Sequence, residues 1–72
     1  MRRLGVDLQA LGDRLRRSRE DRGLTQERLA SRSGLTQEMI SDMERGTHHP
    51  RLDTIEKYAR ALGISVPALL DA

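Results

Sequence analysis

The chain contains no cysteine, no phenylalanine and no tryptophan, and only one tyrosine and two prolines. Without cysteine there is no disulfide and no Cys/His cluster to hold a structural metal. A hydrophobic core, alone or with a partner subunit, must therefore hold the fold. The same absence fits a reducing compartment. With Tyr58 as the sole aromatic residue, the chain cannot build the stacking platforms that hold single-stranded DNA or unpaired RNA bases, so any nucleic-acid target is expected to be a duplex. Long apolar runs are missing too. Leu4-Gly5-Val6 leads directly into Asp7, which leaves nothing for export or membrane spanning. A strong excess of either charge is also lacking: thirteen basic residues against eleven acidic ones give a net charge of +2, which permits nucleic-acid binding without demanding it. These absences predict a soluble cytoplasmic protein with no cofactor, no membrane partner and no evident small-molecule ligand.

Seventy-two residues suit one small domain, preceded by an arm over residues 1–7. A domain of this size buries only about 60% of the surface its unfolded chain exposes, so its stability is expected to be marginal. Apolar residues recur at helical intervals: Leu8, Leu11 and Leu15; Leu29 and Ala30; Met39, Ile40 and Met43; Ile55, Ala59 and Leu62; Leu69 and Leu70. No stretch alternates as a strand does. Five helices are predicted, over residues 8–22, 26–33, 37–45, 52–62 and 66–71. Gly23, Gly34, Gly46 and Gly63 each follow a periodic segment, where a left-handed residue most easily ends a helix, and Ile64 is placed to fold back on Ala59.

The word Gly-Leu-Thr-Gln-Glu occurs twice, at 23–27 and 34–38. Each copy carries the same helix-start signals in the same order. Thr25 and Thr36 are N-caps; Leu24 and Leu35 precede them and pair with Leu29 and Ile40 as hydrophobic staples. Glu27 and Glu38 fall in first turns, where the helix dipole favours negative charge by about 0.3–1 kcal/mol. A solenoid needs a longer period and at least three copies. Two short helices joined at Gly34 make a helix-turn-helix instead.

Counted from Gln26, the fifth residue is Ala30, the ninth Gly34 and the fifteenth Ile40. This register, within LGDRLRRSREDRGLTQERLA, GLTQEMISDMERG and PRLDTIEKYARALGISVPALL, resembles the helix-turn-helix of the phage repressor and Cro (XRE) family. The resemblance covers most of the chain. It implies an all-α, five-helix, lambda-repressor-like domain in which residues 37–45 enter the major groove of DNA and residues 26–33 cross the backbone. It also implies an inter-helix ion pair between Arg19 and Glu44. Backbone anchors map to Thr25 and Gln26 at the start of the second helix and to Thr47, His48 and His49 after the third, with Thr36, Arg45 and Arg51 as further backbone contacts. The sequence departs from its relatives in placing Thr47 and His48 where Lys or Arg is frequent. If His48 or His49 meets phosphate, affinity should rise below about pH 6.5. Two adjacent histidines without further ligands do not make a zinc site.

The helical wheel puts Met39, Ile40 and Met43 on one side of the third helix and Gln37, Glu38, Ser41, Asp42 and Arg45 on the other. Gln suits adenine, Ser is permissive, Arg favours guanine or phosphate, and a carboxylate accepts from cytosine N4. Glu38 and Asp42, four residues apart, repel phosphates of every sequence. They are expected to lower affinity while raising selectivity.

Arg51 stands where relatives place a small capping residue, which offers an alternative start of the fourth helix at Asp53, with Glu56 completing a capping box. Arg14, Arg16, Arg17, Arg19 and Arg22 form a basic run that Asp13, Glu20 and Asp21 can neutralise. Ser18 replaces a usually apolar residue and implies a smaller core contribution. Arg2 and Arg3 are candidates for a minor-groove arm or a disordered tail. Ile64, Val66, Pro67, Leu69 and Leu70 supply more apolar surface than a short terminal helix hides, which points to a mixture of core packing and homodimer contact.

The expected function is a sequence-specific transcriptional regulator, a repressor or autoregulator, occupying two half-sites of a double-stranded DNA operator as a homodimer. Its control is expected to follow protein concentration, as in phage repressors and restriction-modification controllers. The alternative is a protein-interaction module, such as an antitoxin or adaptor, on the same fold. An enzyme is not expected, since His48, His49, Ser41 and Asp42 form no nucleophile-base-orienter set.

Overall fold

Local start and stop signals set the helices. The structure, a computed structural model, describes residues 7–71. Among these the regular elements are α1 (Leu8–Asp21), α2 (Gln26–Ser33), α3 (Gln37–Arg45), α4 (Leu52–Leu62) and α5 (Val66–Asp71). The proposed arm with Arg2 and Arg3 lies outside the described residues. Asp7, assigned to that arm, instead caps α1: its Oδ1 accepts from the backbone N–H groups of Gln9 at 3.1 Å and Ala10 at 3.2 Å.

Thr25 and Thr36 cap α2 and α3, their hydroxyls accepting from the N–H of Arg28 at 3.1 Å and Met39 at 3.0 Å. Both staple pairs lie in the core. At the end of α4, Gly63 has φ 77°, its N–H donates to Arg60 O and the Ile64 N–H donates to Ala59 O at 3.1 Å. This is the left-handed ending expected there. Helix α1 stops at Asp21 because Arg22 leaves helical geometry at φ −99°, ψ 9°.

Helix α4 covers the expected residues 52–62, and the alternative start at Asp53 does not occur. Arg51 is its N-cap residue, in extended geometry and with no side-chain cap bond. The Asp53–Glu56 capping box is absent because the chain becomes helical at Leu52. Asp53 then sits in the first turn, favoured by the helix dipole, and its Oδ1 lies 3.3 Å from Arg51 Nε.

Eleven residues form the buried apolar core: Leu11, Leu15, Leu24, Leu29, Leu35, Ile40, Met43, Tyr58, Ala59, Leu62 and Leu69. At about 1.5–3 kcal/mol for each fully buried large side chain, this is the main favourable contribution to folding. Leu69 is wholly enclosed. It therefore belongs to the core and not to the partner surface proposed for it; Ile64, Val66 and Leu70 are half-buried and Pro67 is exposed. Ser18 is also buried.

Helix α1 packs on α3 and α5, and α2 packs on α3 and α4. The α1–α3 crossing is set by two glycines. A Cβ on Gly12 would lie 2.8 Å from the carbonyl carbon of Glu44 and 3.0 Å from the Met43 oxygen. One on Gly46 would lie 2.6 Å from the Leu8 oxygen. The C-terminal half of α3 thus rests directly on the α1 backbone, which fixes how far α3 projects.

Candidate nucleic-acid interface

Gly34, Leu35 and Thr36 link α2 to α3, with Gly34 at φ 80° ending the first helix and Leu35 returning to the core. The aliphatic parts of the two helices face inward. Their polar starts remain at the surface, where N-terminal N–H groups that lack intrahelical partners are available to anions.

Glu44 holds this unit in place. Its Oε2 accepts from Arg19 Nε and the Tyr58 hydroxyl, both at 2.7 Å. Its Oε1 accepts from Arg19 Nη2 at 2.8 Å and Gln26 Nε2 at 3.0 Å. The carboxylate thus accepts four hydrogen bonds, about as many as it can. A third Arg19 bond runs from Nη1 to the Leu24 carbonyl at 2.8 Å. Four helices meet on one buried carboxylate, and the expected Arg19–Glu44 pair is its bidentate centre. Burial pushes the Glu44 carboxyl up, but hydrogen bonds from Arg19, Tyr58 and Gln26 outweigh it and hold the group below its ordinary value. The hydrogen bond to Glu44 pushes the Arg19 guanidinium up. Burial, reinforced by the Glu44 carboxylate, raises the Tyr58 phenol far above its ordinary value, so it remains a neutral donor.

Sequence reasoning missed Tyr58. Its hydroxyl faces Leu15 O at 2.8 Å as well as Glu44. A phenol has one proton for these two acceptors. A lone aromatic residue at helical spacing reads as core, and Tyr58 is core, but nothing along the chain signals where its oxygen points. Gln26 carries a second duty: one amide hydrogen is committed to Glu44. The other amide hydrogen has no partner among the described residues.

Gln37 and Glu38 are exposed on α3, while Ser41 and Asp42 are half-buried. Asp42 is not an unpaired acid, because it forms an ion pair with Arg45 one turn later. No ion pair among the described residues involves Glu38. The expected apolar cluster of α3 is also narrower than the wheel suggests: Ile40 and Met43 are buried, but Met39 is 40% exposed. After α3, the Thr47 hydroxyl reaches Asp42 O at 3.3 Å and lies 3.0 Å from His48 Nδ1. Thr25, Thr36, Thr47, His48, Arg45 and Arg51 are all exposed. In the basic run of α1 one ion pair is present among the described residues outside Arg19, Arg16–Asp13 at 3.5 Å. Glu20 and Asp21 do not neutralise their neighbours as expected.

The Helix-turn-helix family profile matches residues 15–69. The chain belongs to this helix-turn-helix family. It is 40% identical over 60 residues to the immunity repressor protein of Bacillus phage phi105, a match covering 83% of this chain and 42% of the repressor. The chain therefore spans less than half of that relative. Its fold is similar to the restriction-modification controller protein C.AhdI from Aeromonas hydrophila, with TM-score 0.84 and 43% identity over 88% of this chain and 96% of the controller. It is also similar to SinR, the master regulator for biofilm formation, solved in complex with DNA. There the TM-score is 0.78 and the identity 31%, over 85% of this chain and 98% of the chain solved on DNA.

Among the described residues, no helix is long and apolar enough to cross a membrane, and no group of three or more potential metal ligands comes together.

Proposed function

We propose that this helix-turn-helix protein is a sequence-specific regulator of transcription that inserts α3 into the major groove of duplex DNA, binds two half-sites as a homodimer and represses from that position in the cytoplasm. The observation that carries this reading is the polar face of α3, held outward on a helix locked from behind by the Glu44 network. Similarity to a regulator solved on DNA and to a phage repressor supports it. Gln37, Glu38 and Ser41 are the base readers, with Asp42 oriented by Arg45. Thr25, Gln26, Thr36, Arg45, Thr47, His48 and Arg51 supply the backbone contacts. The second copy docks on Ile64, Val66, Pro67 and Leu70.

Selection of duplexes from a random library tests the proposal. Enriched sites should contain two related half-sites one helical turn apart or a multiple of it. With Arg45 and Arg51 as the permanent cations of each protomer's contact set, the dimer neutralises about four phosphates. Log affinity should then fall against log salt with a slope of roughly −3 to −4. A library that yields no enriched sequence overturns the proposal. Salt-insensitive capture of a protein would favour the interaction-module alternative.

A further inference from the structure

Met39 leaves 40% of its surface in water in the middle of α3, although Ile40 beside it is fully buried. With Asp42 and Met43 it forms one stripe along the helix, at spacings of three and four residues. That stripe lines an open hollow of about 230 Å³ together with the loop residues His48, His49, Pro50 and Arg51 and with Thr54 of α4. Its acid, Asp42, is already paired with Arg45.

If α3 occupies a major groove, as proposed above, Met39, exposed and one turn before the half-buried Asp42, flanks the reading face within reach of base edges and their immediate surroundings. Base edges in that groove offer hydrogen-bond donors, acceptors and one apolar group, the thymine 5-methyl. A thioether packed over a donor or acceptor would strip water from it without replacing the hydrogen bond, which is unfavourable. Packed over a methyl group, it gains. Met is also flexible enough to fit a methyl edge to an irregular hollow. We infer that Met39 is a specificity-determining residue that reads thymine, receiving the 5-methyl group of one thymine in each half-site against the Met39–Met43–Pro50 wall.

Once a half-site has been selected, its thymines can be replaced one at a time by deoxyuridine, which lacks only that methyl group. Wild-type protein should lose roughly fourfold in affinity at one position per half-site. Met39→Ala should bind the thymine and uracil duplexes within about twofold of each other. Met39→Gln, of similar length but polar, should move the preference at that position towards adenine. An equal uracil penalty in wild type and Met39→Ala overturns the inference. So does the absence of any sensitive thymine, the result expected if the hollow rests on deoxyribose, or a Met39→Ala protein whose oligomeric state changes, the result expected if another protein copy covers it. These failures differ from failure of DNA recognition itself, in which no sequence is enriched at all and the inference falls with it.

Discussion

Replacing Arg19 by methionine tests how the recognition helix is held. The substitution keeps most of the aliphatic stem but removes three hydrogen bonds, two to Glu44 at 2.7 and 2.8 Å and one to the Leu24 carbonyl at 2.8 Å. Glu44 would remain largely enclosed, with only Tyr58 and Gln26 as donors against the burial that disfavours its charge. Breaking a buried pair from one side costs about 3–5 kcal/mol. At about 0.05–0.15 kcal/mol per residue, a domain of this length has only about 4–11 kcal/mol in total. Arg19→Met should therefore lose about a quarter or more of the stability and lower the melting temperature by more than about 12 °C. The double variant Arg19→Met/Glu44→Leu removes the stranded carboxyl group, and Tyr58 keeps Leu15 O as an acceptor. It should recover to within about 1–2 kcal/mol of wild type, because apolar replacement of a buried pair is often neutral. It should still bind DNA less well, having lost the Gln26–Glu44 hydrogen bond that ties the start of α2 to α3. Urea unfolding followed by circular dichroism at pH 7 measures all three proteins, with similar m-values expected. A single variant costing less than about 1 kcal/mol, as an exposed pair would, or a double variant no better than the single, refutes the reasoning.

Other outcomes follow from the same geometry. Gly12→Ala gains helix propensity, but its methyl group meets the α3 backbone; a net loss of about 1–3 kcal/mol is expected in urea melts, with weaker DNA binding as α3 is displaced. Because Glu44 titrates below its ordinary value when folded, its contribution is present above the unfolded value of about 4.3 and is lost as pH falls through the folded value. The urea midpoint should accordingly drop in acid, and Glu44→Gln should flatten that drop. Glu38→Gln removes an acid with no ion pair from the reading face, so binding to random duplexes should tighten by up to about fivefold while discrimination falls. Unchanged discrimination in competition titrations would count against the selective role of Glu38.

The architecture was largely legible because its signals are local. Thr25, Thr36 and the glycines after the helices act within one turn of themselves, and α2, α3, α4 and α5 fall on the expected residues. Arg19–Glu44 spans 25 residues, and only the family resemblance brought that pair together. What sequence reasoning missed depends on tertiary approach. Gly12 reads as a mere weakness in a helix until α3 is laid against it. Met39 lies on the wheel's border, where a small rotation of α3 decides between core and water. Leu69 reads as surplus apolar surface because the depth of the groove that receives α5 is not written in its six residues. The Asp42–Arg45 pair has the three-residue spacing of a helical ion pair, and it offsets the repulsion between Glu38 and Asp42.

The central claim is that the outward face of α3 enters the duplex. Backbone amide spectra of labelled protein, titrated with a selected duplex, test it most directly. The largest shifts should fall on residues 36–42, on 25–26 and on 47–49, with 64–70 unaffected beyond saturation of the dimer. Shifts confined to the C-terminal residues, with Gln37, Glu38 and Ser41 unmoved, would contradict it.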